Sequence, residues 1–68
     1  MAVTKIIELV GRSTEGSDAA VLAALEEARQ SVRNIKAVDV VSTGLRGEDL
    51  SQWGALVRIS FLVERLSE

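Results

Sequence analysis

Residues 52 to 66 alternate over an unusually long span, and this constrains the fold more than any other feature. Trp53, Ala55, Val57, Ile59, Phe61 and Val63 occupy one set of alternate positions. Gly54, Leu56, Arg58, Ser60, Leu62 and Glu64 occupy the other. Period-two alternation is the signature of a β-strand, and the first set forms one continuous apolar face. Such a strand reaches about 45 Å at about 3.3 Å per residue. The only helix candidate spans residues 18–33 and reaches about 24 Å at 1.5 Å per residue. One helix cannot cover that strand, so its ends must curl around the helix or be covered by another subunit.

The helix candidate carries Val21, Leu25, Ala28 and Val32 as one stripe, widened by Ala20 and Ala24. Asp18, Glu26, Glu27, Arg29, Gln30 and Arg33 lie mostly opposite. The alanines keep the buried face thin, so a sheet can approach closely. Ser13 or Ser17 is the expected N-cap, Asp18 suits the positive end of the helix dipole, and Asn34 suits a left-handed stop. Residues 3–11 read as a strand, with Val3, Lys5, Ile7 and Leu9 on one face and Thr4, Ile6, Glu8 and Val10 on the other. Residues 36–43 read as another strand. Val38 and Val40 face one way there, and Ala37, Asp39 and Val41 the other. Residues 44–51 read as a hairpin connection. The expected class is α+β in the order β-α-β-β: a three-stranded antiparallel sheet partly wrapping one helix, in a single domain over residues 1–68. Phe61 and Ile59 are expected to pack against Val21, Leu25 and Ala28.

A 68-residue chain buries only about 60% of its unfolded surface, so small folds need a disulfide, a metal or a partner. Cysteine and histidine are both absent. That removes disulfides, thiolate zinc, cysteine nucleophiles and the commonest general base. No serine has a histidine to activate it, and residues 11–16 lack the spacing of a phosphate loop. The expectation is therefore a non-enzyme that associates with itself. Eight basic residues against ten acidic ones give a net charge of −2, and no two basic residues are adjacent, which argues against nucleic acid. The longest apolar run, Ala19 to Leu25, falls short of the ~20 residues that span a bilayer, and Glu8 interrupts any signal-type segment. A soluble cytoplasmic protein without membrane contact is the default.

Four stretches together resemble the dodecin family. They are Glu8-Leu9-Val10-Gly11 with Ser13, Gly16 and Ala19-Ala20; the helix from Ala24 to Arg33; Arg46-Gly47-Glu48; and Val57-Arg58-Ile59-Ser60-Phe61-Leu62-Val63-Glu64. The resemblance covers nearly the whole chain. It implies a β-α-β-β subunit, a hollow homododecameric shell, and binding or sequestration of a small flat ligand, flavin in much of the family. The family stacks flavin on a tryptophan in its second strand; Ala37 holds that position here. It bonds the ring edge with a glutamine that follows an aromatic residue in the last strand; Trp53 matches the aromatic and Gly54 the glutamine. Gln52 lies two residues earlier on the same face as Gly54. Both signature groups are thus missing, which makes this chain similar to a subgroup that lacks the flavin site and is associated with calcium.

Three further features carry alternatives. Trp53 is either a displaced stacking platform or an interface aromatic. Glu48 and Asp49, with Asp39 or Glu8 from the strands, could supply hard oxygen ligands for Ca²⁺, with Asp39 and Glu48 the first candidates, or be ordinary solvated carboxylates. Arg58 and Glu64 could pair across subunits, Arg58 could meet an anionic ligand, or Arg58 could form an inter-strand ion pair.

Overall fold

A computed structural model describes residues 2–64. Three strands and one helix follow in order: β1 (Ala2–Ser13), α1 (Ser17–Ser31), β2 (Ile35–Arg46) and β3 (Gln52–Glu64). The sheet is antiparallel in the order β1-β3-β2, so the long alternating strand is central and both neighbours are edges. Arg65 and Leu66, the end of the strand expected over 52–66, lie outside the described residues. The molecule measures 54 × 19 × 16 Å, far longer than the ~22 Å of its 15-residue helix. Among the described residues, no helix is long and apolar enough to cross a membrane.

Register fixes the two faces. Ile7 lies opposite Ile59, Leu9 opposite Val57 and Gly11 opposite Ala55. From β2, Val38 meets Ile59 and Val40 meets Val57. These rungs form the face that receives α1. The other face carries Ile6, Glu8, Val10, Leu56, Arg58, Ala37 and Asp39. A bulge between Val40 and Ser42 adds Val41 as an extra residue, which resets the alternation expected to put Val41 with Asp39.

The core is thin, as the alanines of the helix stripe imply, but the larger stripe residues take less part in it than expected. Among the described residues, Ala20, Ala24, Ala28, Ala55, Val57 and Ile59 are the buried hydrophobic ones. Val21, Leu25 and Val32 are only half-buried. Gly11 explains the difference. A β-carbon there would collide with the Ala20 carbonyl oxygen and lie 2.8 Å from the Ala24 nitrogen. The helix backbone therefore rests almost directly on β1, and its alanine side is the side in contact. Ile59 joins the core as expected. Phe61 does not: it is half-buried and lines a cleft with Val32 and Asn34 beyond the last helical turn.

The boundaries differ from the sequence reading for identifiable reasons. Gly16, with no side-chain bond, is the N-cap; Ser17 is already helical, and the Ser13 hydroxyl accepts from the Glu15 N–H at 3.0 Å within the preceding turn. Asn34 does take the left-handed conformation (φ 62°), and its carbonyl accepts from the Leu62 N–H at 3.0 Å, tying the turn to β3. β2 runs on through Gly44 to Arg46 instead of ending at Thr43, because β3 offers it a full set of partners down to Gln52. The hairpin loop shrinks to residues 47–51.

Candidate functional site

The residues at the positions matched to a flavin site fall toward two separate ends of the sheet. Gln52, Trp53 and Gly54 open β3 beside the hairpin, opposite Arg46, Leu45 and Gly44 respectively. Ala37 lies opposite Ser60, six residues further along β3, or about 20 Å. A ligand touching both Ala37 and Gly54 would therefore need two copies of the chain.

At the hairpin end, Gly44 and Gly54 face each other and leave a patch of bare backbone. Arg46 lies across it. A β-carbon on Gly54 would sit 2.7 Å from Arg46 Cγ and 3.1 Å from its Nε; one on Gly44 would sit 2.8 Å from an Arg46 guanidinium nitrogen. Arg46 also donates to the Leu45 carbonyl at 3.1 Å. The space beside Gly54 is thus filled by this arginine's own stem. Gly47, within the expected hairpin connection, has the positive φ (94°) that a tight turn there requires. The arginine's placement over two opposed glycines was not legible, because it depends on register. Trp53 is 37% exposed on the helix-facing side, beyond the reach of α1. Its neighbours Leu45 (45%) and Val40 (53%) are likewise uncovered, since α1 packs mainly on β1 and β3.

The charged residues form a rung at the middle of the opposite face. Arg58 Nε donates to Glu8 Oε2 at 2.7 Å, the inter-strand ion pair among the alternatives for Arg58. Both side chains are about half exposed, so the pair is worth at most about 1 kcal/mol. Asp39 lies on the other flank, opposite the same arginine. Glu48 sits in the hairpin, more than about 20 Å from Asp39 within one chain. In that hairpin Asp49 accepts from the Ser51 N–H at 3.2 Å. Hydrogen bonding from Ser51 holds the Asp49 carboxyl below the ordinary aspartate range. Among the described residues, no three acidic side chains converge on a point that could hold a metal ion.

A second concavity lies at the far end of the sheet. It is a cleft of about 520 Å³ between the end of α1 and the start of β2. Leu25, Val32, Ile35 and Val38 line it, with Arg29 and Lys36 at its edge and Ala37 beside them. Sequence reasoning missed it, because its walls come from two elements that each read separately as core or solvent.

Comparison with known proteins is consistent over nearly the whole chain. No curated protein sequence matches the chain. A mutant form of the Thermus thermophilus dodecin is 34% identical, over 96% of this chain and 100% of that one, with a TM-score of 0.84. Dodecin from Streptomyces coelicolor is 27% identical over 96% of each chain, with a TM-score of 0.86. A Mycobacterium tuberculosis protein described as a calcium dodecin with a novel calcium-binding site is 25% identical over 97% and 96%, with a TM-score of 0.79. The dodecin family model matches residues 3–64, and on that match, with the fold and the likeness to solved dodecins, this chain belongs to the dodecin family.

Proposed function

We propose that the chain is a non-catalytic binding protein that assembles into a homododecameric shell and sequesters a small molecule, with the family's flavin site altered. The uncovered apolar surface is the observation that carries assembly. Val40, Leu45 and Trp53 on one face, and Ile6 and Val10 on the other, are each 37–59% exposed in an isolated chain. Both long neighbours of β3 also present unpaired backbone edges, which favour pairing with another chain. Light scattering at micromolar concentration is expected to give about 88 kDa, twelve copies of the 7.3 kDa chain (12 × 7.3). A folded monomer at that concentration would overturn the reading.

The residues at the flavin positions do not fit that cofactor. Ala37 offers no stacking surface, Gly54 offers no amide, and Arg46 lies where the amide would stand. Gln52 and Trp53 are the side chains left to take over those roles for a flat ligand.

A second reading is a cofactor-free assembly that holds Ca²⁺. The absence of histidine and cysteine favours oxygen-ligated cations over zinc or copper. Asp39 and Glu48 are the proposed ligands. A symmetry axis would gather copies of one carboxylate, and a cation would relieve their repulsion. Calcium at ten times its Kd is expected to raise the melting temperature by roughly 5–10 °C over EDTA. Identical melting curves in EDTA and millimolar Ca²⁺ would remove this reading and leave the first intact.

A further inference from the structure

The tip of the hairpin has a feature that the isolated chain does not explain. Leu50 takes the left-handed conformation (φ 57°), which a leucine adopts only at a cost. Its N–H donates to the Gly47 carbonyl at 3.1 Å, which closes the turn and holds Leu50 outward. The side chain is 58% exposed. A large apolar side chain held in a disfavoured backbone state and pointed at water gains nothing within its own subunit. Glu48 and Asp49 precede it, both exposed and, among the described residues, without an ion pair. The tip is an apolar knob flanked by two carboxylates.

The cleft at the other end of the sheet has the opposite character. Its walls, Leu25, Val32, Ile35 and Val38, are apolar and half-buried. Its edge carries Arg29 and Lys36, both exposed and, among the described residues, also without an ion pair. Shape and charge are thus complementary: knob to cleft, two acids to two bases. The two cannot meet within one chain. The cleft borders the rungs at Ile59 and Phe61, whereas the tip lies beyond Gln52, over about 20 Å away along β3.

We propose that the Leu50 hairpin tip of one copy docks in the Leu25–Val32–Ile35–Val38 cleft of a second copy, with Glu48 and Asp49 set against Arg29 and Lys36. This rests on the reading that the chain self-associates, and it specifies one of the contacts. Because different surfaces meet, the contact is heterologous. Repeated around an axis it closes a ring, or it extends into an open chain if the rotation does not close.

The cysteine-free sequence permits a direct test. L50C and L25C placed in one chain should form disulfides between copies on mild oxidation, giving a ladder of covalent multimers on a denaturing gel. Either cysteine alone should give none. A second measurement uses charge. E48K/D49K should raise the concentration needed for assembly at least tenfold, and adding R29E/K36E to the same chain should restore it. If the unaltered protein assembles but the double-cysteine chain gives no ladder and E48K/D49K assembles normally, the docking is wrong and the shell reading survives. If the unaltered protein is a monomer, the shell reading itself has failed, and the docking fails with it.

Discussion

Gly11→Ala is expected to lower the melting temperature by roughly 10–20 °C, although it adds only one methyl group. The added carbon would collide with the Ala20 carbonyl and crowd the Ala24 nitrogen and Cβ, at 2.8 and 3.0 Å. Two of these three neighbours are helix backbone and cannot rotate away as a side-chain tip would. The whole of α1 must lift from β1. Ala20, Ala24 and Ala28 then lose contact with Ala55, Val57 and Ile59; these six form the buried hydrophobic core among the described residues. Overpacking usually costs about 1–3 kcal/mol. A domain of this size holds only roughly 3–10 kcal/mol in total. Gly44→Ala is the informative control, because its nearest neighbour is a terminal guanidinium nitrogen of Arg46, which can move. Its melting temperature should shift by only a few degrees. Thermal melts followed by circular dichroism compare the two. An unchanged melting temperature for Gly11→Ala would mean that α1 does not rest on β1 at this point.

The same contact explains which parts of the fold were legible in the sequence. Alternation along β3 gave its two faces correctly, because period two follows from backbone geometry alone. The helix was legible too, and the alanine-rich face expected to let a sheet approach closely is the buried one; only the larger stripe residues are less buried than the pattern suggests. Val21, Leu25 and Val32 are the larger hydrophobes and look like the core stripe. Ala20, Ala24 and Ala28 are what a glycine on the facing strand selects, since close approach buries small residues completely and leaves larger ones at the margin. That choice lies in the pairing of Gly11 with the helix, which no window along the chain contains. The hairpin was misread for a related reason. Gly44 looks like a breaker, yet it lies within β2, where its partner Gly54 and the arm of Arg46 occupy the space.

The candidate site was legible only in part, again for physical reasons. Residue types matched to the family pointed to the positions Ala37 and Gly54 as candidates. Their separation of about 20 Å depends on register, which local pattern does not give. Asp39 was correctly placed opposite the helix face, but its neighbour there is Arg58, already bonded to Glu8. A cation site at Asp39 would therefore have to compete with that arginine or draw on carboxylates from other subunits.

Riboflavin is expected to bind the unaltered protein weakly, with a Kd poorer than about 10 μM, or under about 7 kcal/mol. Restoring the two missing groups should reverse this. Ala37→Trp supplies a stacking surface worth roughly 1–3 kcal/mol per ring, by analogy with base stacking. Gly54→Gln supplies an amide, worth about 0.5–1.5 kcal/mol for a typical hydrogen bond. The double variant A37W/G54Q should thus bind about 10- to 1000-fold more tightly, seen as quenching of flavin fluorescence on the new indole. Arg46 sets a condition on this gain. The new side chain at position 54 must displace the arginine's stem, which stands 2.7 Å from the new β-carbon. Adding Arg46→Ala should therefore tighten binding further if the arginine stem is the obstacle, whereas Arg46→Ala alone should do little for affinity. Because Ala37 and Gly54 lie at opposite ends of one chain, the gain should also require assembly and disappear in any monomeric variant. Complete quenching of sub-micromolar riboflavin by stoichiometric unaltered protein would show that Trp53 and Gln52 have already replaced the lost groups, and that the altered site is a working flavin site in a different arrangement.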